Sequence, residues 1–283
     1  VIFLLFVFAI VVVLFLTRPI KDIIVRMLPE RDLFNAYGST AIVTGGTDGI
    51  GLELTLRMSR MGIHVLAIGL DKDPKTVLPG NVDIIRGDLA DIEIQNAVLA
   101  WLNKFRPSIL IHCAGSCIPQ SFDRFHDAPE YLNAHVIFPV VLTQEFLRLG
   151  NKKSALVFFS SQVAIWSNPF AGLYSGTKAF MAQFGRAISA EYKDTDVLVI
   201  SPGAVLGTSF FNNFPNYWYF SVLKLIGQTK TSIASLVFRA IGRITYLETG
   251  IYTHTTKIAA SLLDEGFVDK LASIAVCPLR SKL

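Results

Sequence analysis

Charge is scarce in this 283-residue chain. Asp, Glu, Lys and Arg make up 17% of it against 52% apolar residues, too hydrophobic a balance for a disordered chain or an acidic tail. The 26 basic residues exceed the 22 acidic ones by only four. The excess is small and forms no basic stripe of the kind a nucleic-acid binder carries, so no nucleic-acid partner is expected. Cysteine is rarer still. Cys113, Cys117 and Cys277 are odd in number and have no metal-ligand spacing with histidine, which excludes a disulfide framework or a zinc site; no metal is expected. No period of about 20–50 residues repeats, which removes solenoids and propellers. The length suits one α/β domain with an appendage, or two small domains.

Polar side chains are absent altogether from Val1 to Leu16. That run is slightly short of the roughly 20 residues that cross a bilayer core, but the chain opens on Val rather than Met, so residues upstream are expected. Thr17-Arg18-Pro19 offers no small-residue cleavage site for a signal peptide, and a buried core helix would show a polar face. Arg18, Lys21, Arg26 and Arg31 follow, where positive charge holds a flank in the cytosol. The sequence therefore predicts a membrane anchor over 1–17, a basic linker over 18–38, a main domain over 39–265 and a tail over 266–283.

In the main domain short apolar runs alternate with helical patterns. Ala41–Thr44, His64–Ile68, Val82–Ile85, Ile109–Ile111, Ala155–Phe159 and Val197–Ile200 read as strands, mostly continuous β-branched or aliphatic runs of the kind buried on both faces of a parallel sheet. Ile50–Met61, Ile92–Lys104, Ala128–Leu149 and Tyr174–Tyr192 read as helices. The alternation predicts an α/β, doubly wound parallel sheet of Rossmann type, with an N-terminal membrane-anchor helix. Between the second and third strands, Leu70–Asn81 contains Pro74 and Pro79, so a loop is expected where a crossover helix is usual.

Thr44-Gly-Gly-Thr-Asp-Gly-Ile-Gly51 leaves the first strand and opens the first helix. Gly45, Gly49 and Gly51 permit a tight turn, close backbone approach to a pyrophosphate and helix-on-strand packing, and the helix N-terminus offers unpaired N–H groups to phosphates. Downstream come Gly87-Asp88-Leu89, Cys113-Ala114-Gly115, Ser160-Ser161, Tyr174-Ser-Gly-Thr-Lys178 and Pro202-Gly203, each at the carboxyl end of a predicted strand or on the next helix. This ordered set, from about Tyr37 to Glu265, resembles the short-chain dehydrogenase/reductase family. The anchor, Tyr37-Gly38, Thr47-Asp48-Gly49, Lys178-Ala-Phe180 and Ala190-Glu-Tyr192 are similar to the branch of very-long-chain 3-oxoacyl-CoA reductases and 17β-hydroxysteroid dehydrogenases of the endoplasmic reticulum. Ser160-Ser-Gln162 is also similar to the 3-ketodihydrosphingosine reductases.

The resemblance implies Tyr174 as the acid that protonates a ketone, Lys178 as the residue that tunes it and Ser161 as the group that orients the carbonyl. Four residues apart on a helix, Tyr174 and Lys178 point the same way. Lowering a phenol's pKa by about three units takes about 4 kcal/mol, which an ammonium about 4 Å away supplies at an effective dielectric of about 20. The resemblance places Gly45, Thr47, Asp48, Gly49, Ile50 and Gly51 against the cofactor's phosphates, and Asp88 and Leu89 at adenine. It places Ala114 and Gly115 at the ribose, Tyr174 and Lys178 in the same cofactor cleft, and Pro202, Gly203, Val205 and Thr208 at nicotinamide.

The pattern departs from the family in two places. His112-Cys113-Ala114-Gly115 replaces Asn-Asn-Ala-Gly, and His135 falls where a catalytic asparagine is expected, with Asn133 two residues early. The family's asparagine serves a water relay to the lysine largely through its backbone carbonyl, which His135 also owns. Gly69 lacks the carboxylate that binds the ribose 2′-hydroxyl of NAD, and Leu70 lacks the positive charge that pairs the 2′-phosphate of NADP. The reading leans to NADP(H) over NAD(H), with Lys72 and Lys75 as phosphate partners.

Phe210–Phe220 packs seven aromatics into eleven residues, a lid suited to an apolar ketone or alcohol or to the bilayer interface. The expected partners are that substrate, the membrane and, as an option, a second copy of the chain. The alternative from another class is a non-catalytic relative that keeps the fold and binds lipid or a partner, motivated by the short loop, Leu70 and His135. The anchor points to the endoplasmic reticulum membrane with the domain cytosolic. The final Ser281-Lys282-Leu283 reads as a peroxisomal address and stands as the alternative.

Overall fold

The computed structural model describes residues 19–70, 77–165, 168–210, 225–250, 253–257, 266–267 and 270. The predicted anchor, Lys72, Lys75, most of the aromatic segment, Cys277 and the terminal Ser-Lys-Leu lie outside them. No helix among the described residues is long and apolar enough to cross a membrane.

The described residues open with α1 (residues 19–27) and α2 (Leu33–Tyr37). β1 (Thr40–Thr44), α3 (Gly49–Arg60), β2 (His64–Gly69) and β3 (Val82–Arg86) follow, then α4 (Ile92–Phe105) and β4 (Ile109–His112). Next are α5 (Ala128–Leu132), α6 (Phe138–Arg148), β5 (Ser154–Phe159), α7 (Gly172–Glu191) and β6 (Thr195–Pro202). The short β7 (Val205–Leu206) and β8 (Gln228–Thr229) pair with each other, and α8 (Lys230–Ala240) leads into β9 (Tyr246–Thr249). The seven-stranded sheet has the order β3-β2-β1-β4-β5-β6-β9, with every neighbouring pair parallel. This is the Rossmann-type arrangement expected from the strand runs.

Two apolar layers flank the sheet. Alternate strand residues pack on one side with Leu54 and Met58 of α3 and Ile233 and Val237 of α8. On the other they meet Val98 and Leu102 of α4, Phe138 and Leu142 of α6, and Met181 and Ile188 of α7. Of the loop expected over Leu70–Asn81, residues 71–76 lie outside the described residues, and 77–81 carry no helix.

The single helix expected over Ala128–Leu149 is instead interrupted by a π-helical turn at Asn133–Ile137. Pro139 supplies the local reason: it has no N–H to give the carbonyl four residues back, which belongs to His135. β9 was not anticipated. Its Glu248 is 6% exposed and is met there by Lys257 and the Tyr246 hydroxyl, so a charged residue sits in a strand that a hydrophobicity scan passes over.

Gly185 lets α7 lie directly on the sheet, since a Cβ there would stand 2.6 Å from both Phe158 and Val199. Gly185→Ala is expected to destabilise the fold by about 1–3 kcal/mol through overpacking. Gly176→Ala, on the same helix with nothing within 4 Å, is expected to be neutral or to gain up to about 1 kcal/mol. Thermal melts of the two variants should therefore shift apart; equal midpoints would contradict this packing.

Candidate active site

β1 pairs with β2 on one side and β4 on the other, while the chain crosses to opposite faces of the sheet. The crevice beyond their carboxyl ends is where open α/β sheets bind ligands. Thr44 closes its floor: its hydroxyl accepts the N–H groups of Cys113 and Ala114, each at 3.2 Å.

The predicted glycine turn stands at this edge. Gly45 and Gly49 have φ of +68° and +56°, conformations that only glycine adopts without strain. At Gly51 a Cβ would lie 2.0 Å from the Gly45 carbonyl oxygen. Asp48 occupies the N-cap of the 12-residue α3 but makes no side-chain cap bond; its carboxylate accepts instead from Ser209. At the start of α3 the N–H groups of Gly49 and Gly51 approach the Asp48 carboxylate and the Cys113 thiol, so of the first three that of Ile50 is left to an anionic ligand. At Gly69 a Cβ would collide with Thr47 Oγ1 at 1.8 Å, and at Gly115 it would stand 2.7 Å from Lys178 Nζ. These residues fit a dinucleotide's pyrophosphate and ribose.

Asp88 is exposed after β3, with one carboxylate oxygen accepting from Ala90 N–H at 2.9 Å, and Leu89 beside it is buried. Pro202 ends β6 in register with Thr249. Gly203 is hemmed in by Thr253 Oγ1, 2.8 Å from its Cβ position, and Val205 is buried. Thr208 donates to Val205 O and packs its methyl 3.1 Å from the Cβ position of Gly49, so the loop after β6 folds back over the glycine turn.

Ser161, Tyr174 and Lys178 converge. The Ser161 hydroxyl is close enough to the Tyr174 hydroxyl to act on its acidity. Lys178 Nζ is buried and donates to Phe159 O at 3.0 Å and Ala114 O at 3.4 Å. Ser160 fixes the helix by donating to Lys178 O at 2.8 Å. Burial pushes the ammonium down to about 8. Burial also pushes the Tyr174 phenol above its ordinary value, and the Ser161 hydroxyl pulls the other way. Lys178 Nζ also lies 5.8 Å from the centroid of the Tyr174 ring.

His135 lies beside them, half-buried. Its Nε2 accepts the Ser116 N–H at 3.3 Å, so Nδ1 carries the proton and donates to Tyr131 O at 2.9 Å. Burial, aided by the Lys178 charge, pushes its pKa down to about 4. Both ring nitrogens are engaged by backbone, so the side chain clamps the Gly115-Ser116 loop, while its own carbonyl lacks the Pro139 donor. Asn133 instead ties α5 to Ala90 O and Gln95. His112 is buried, bonded to Thr143 at 2.9 Å and stacked on Phe158.

Sequence reasoning missed the pocket. A cavity of about 150 Å³ next to Tyr174 is lined by Ile118, Phe122, Phe125, Pro169, Phe170 and Leu173, with Gln120, Tyr131 and Asn168 as polar points. Phe210, the first residue of the aromatic segment, stands 5.4 Å from the Tyr174 ring between centroids. Arg86 was missed as well: it pairs in register with Gly69, a juxtaposition that no local pattern reveals.

A family model described as short chain dehydrogenase matches residues 39–216. The chain is 23% identical over 229 residues to a 7beta-hydroxysteroid dehydrogenase of Collinsella aerofaciens, covering 75% of this chain and 86% of the relative. It is 26% identical over 196 residues to 17-beta-hydroxysteroid dehydrogenase type 3 of Homo sapiens, with 64% and 63% covered. To the very-long-chain 3-oxoacyl-CoA reductase of Anas platyrhynchos it is 27% identical over 183 residues, with 58% of each covered. Among solved structures, one reported for 7beta-hydroxysteroid dehydrogenase stereoselectivity superposes with a TM-score of 0.76 at 19% identity, covering 85% of this chain and 99% of that one. A 4-hydroxyisoleucine dehydrogenase complexed with NADH reaches 0.67 at 19% identity, with 75% and 97% covered. L-Sorbose reductase from Gluconobacter frateurii, complexed with NADPH and L-sorbose, reaches 0.62 at 20%, with 76% and 95% covered. At these identities the structural likenesses speak for the fold.

Lys178 makes stability depend on pH. Its folded value of about 8 lies below the unfolded value of about 10.4. Below about pH 8 it is charged in both states and its burial opposes folding; between about 8 and 10.4 the unfolded chain holds the extra proton and stability rises with pH. Relative to Lys178→Met, the unmodified chain should gain unfolding free energy across that window in denaturant titrations. Parallel pH profiles would contradict the buried ammonium.

Proposed function

The chain belongs to the short-chain dehydrogenase family and is an oxidoreductase working with a nicotinamide cofactor; from that premise we propose that it reduces a ketone on an apolar, lipid-like molecule, such as a 3-oxoacyl-CoA or a steroid. The observation that carries this reading is the cavity beside Tyr174, where Ile118, Phe122, Phe125, Phe170 and Leu173 give apolar walls to a hydrocarbon skeleton and Gln120, Tyr131 and Asn168 give polar points.

The glycine turn, Ala114-Gly115 and Pro202, Gly203 and Val205 would hold the nicotinamide cofactor, which in its reduced form would supply the hydride to the carbonyl carbon. Ser161 donates a hydrogen bond to the substrate carbonyl oxygen and holds it beside Tyr174. The Tyr174 hydroxyl gives its proton to that oxygen as negative charge develops. A phenol that burial keeps protonated suits this acid role. Lys178 stabilises the phenolate left behind, and its charge at Tyr174 is worth more in a dry site than in water. His135 serves through its backbone carbonyl, on the path that returns a proton to Lys178, while its ring holds the loop.

NADP(H) is the favoured cofactor. Gly69 presents no carboxylate to repel a 2′-phosphate, and Arg86 stands beside it on β3. The apolar run over 1–17 anchors the enzyme in the endoplasmic reticulum membrane with its domain in the cytosol; the C-terminal Ser-Lys-Leu keeps the peroxisome as the competing address.

The full chain in detergent or vesicles should consume NADPH with a 3-oxoacyl-CoA, an oxosteroid or a 3-ketosphinganine. Tyr174→Phe should lower kcat by about 10²–10⁴-fold with cofactor binding retained. Failure with all three ketones, or full activity of the phenylalanine variant, would overturn the reading.

Arg86→Ala should raise KM for NADPH more than for NADH. With one lost charge-assisted hydrogen bond at about 1.5–3 kcal/mol, the preference should shift by about ten- to a hundredfold. An unchanged ratio would remove Arg86 from cofactor choice.

A further inference from the structure

On α1, Ile20, Ile23, Ile24 and Met27 are 46%, 56%, 53% and 81% exposed. At 3.6 residues per turn the four share an arc of about 100°, with no charged residue inside it. Single exposed apolar side chains are ordinary, whereas a contiguous stripe marks a contact surface.

The opposite face of the helix is fixed to the domain. Val25 is 1% exposed within the core. Asp22 accepts the Gly250 N–H at 3.2 Å and contacts His254 Nε2 at 3.4 Å. Arg26 pairs with Asp22 at 3.1 Å and reaches Ser232 of α8 at 3.3 Å. Lys21 donates to Tyr246 O, and Arg239 to Arg26 O. A helix held this way moves with the domain, so whatever covers its outer stripe also sets the domain's orientation.

The sequence names the occupant. In the sequence, Val1–Leu16, which has no polar side chain, lies just upstream of the described helix, and Lys21 and Arg26 lie at the two borders of the stripe. We propose that α1 lies flat in the bilayer interface, its stripe at the boundary of the acyl chains and its basic borders at headgroup level, as amphipathic interfacial helices do. This rests on the membrane association proposed above and adds a second contact that a lone anchor does not provide. Through Asp22 the helix holds the segment that carries Thr253, whose hydroxyl donates to Gln162 at 3.4 Å, next to Ser161. The bilayer thereby fixes the height and tilt of the cleft for a substrate held in lipid.

The test uses the full chain in phosphatidylcholine–phosphatidylserine vesicles. An environment-sensitive fluorophore is attached at Ile23→Cys or Met27→Cys, with Val77→Cys, a 95% exposed position, as control and the unsubstituted chain as labelling blank. Labels at 23 and 27 should be quenched by nitroxide lipid and be at least about threefold less accessible to aqueous iodide than the control. A variant with all four stripe residues changed to Ser should keep its rate on a short water-soluble ketone while its KM for a vesicle-held ketone rises about tenfold. Iodide-accessible labels on vesicle-bound chain would overturn the interfacial helix and leave the anchor reading standing. Labels shielded from both quenchers would assign the stripe to a second copy of the chain, and a chain that does not float with vesicles would remove both membrane contacts; either overturns the proposal. Because label depth is read without turnover, it is independent of whether any ketone is reduced.

Discussion

A single buried ammonium organises the catalytic side of this protein. Lys178 Nζ is held between Phe159 O at the end of β5 and Ala114 O after β4. Removing a cation from water is costly unless it is hydrogen-bonded, so those two carbonyls are as much a requirement of the fold as of the chemistry. Gly115 must lack a side chain because Nζ occupies that space. The same charge helps keep the neighbouring His112 and His135 rings neutral, which lets both act as fixed hydrogen-bonding pieces.

The helix that carries Lys178 is itself positioned by the sheet. α7 lies close on β5 and β6 because Gly185 admits Phe158 and Val199, and Ser160 anchors the backbone of Lys178 from the strand end. Tyr174, one turn earlier, is thereby brought to Ser161 on one side and to the cavity on the other. Opposite them, Thr44 binds the β4 loop to the β1 edge, and Thr208 packs over Gly49. The glycine turn, the Ala114-Gly115 loop and Tyr174 thus sit along one rim of a parallel sheet, where strand ends and helix N-termini collect.

What was legible in the sequence was local. β1, β2, β4, β5 and β6 announced themselves as runs of Val, Ile, Leu and Phe because both faces of each are covered. The glycine turn was legible because positive φ and close backbone contact demand glycine at fixed spacing. Tyr174 and Lys178 could be paired because helical periodicity sets four residues apart on one face. β9 was hidden by Glu248, whose charge is acceptable only beside Lys257 and Tyr246. The interruption of the long helix at Asn133–Ile137 was written in Pro139, yet its consequence, a carbonyl without its usual donor at His135, emerges only when the backbone path is followed.

The sequence by itself determined the strands β1 to β6, most of the helices between them and the glycine turn, because propensity, periodicity and steric demand act over a few neighbouring residues, while Ser161, Tyr174 and Lys178 were singled out by the family resemblance. Only the tertiary structure decided that Arg86 stands beside Gly69, that Lys178 is held by the carbonyls of Phe159 and Ala114, that Phe122 and Phe170 share a cavity, and that α1 is pinned by Asp22 with its isoleucines outward. Those relations join residues tens to hundreds of positions apart, and they arise from strand register and burial, quantities that exist only once the chain has closed on itself.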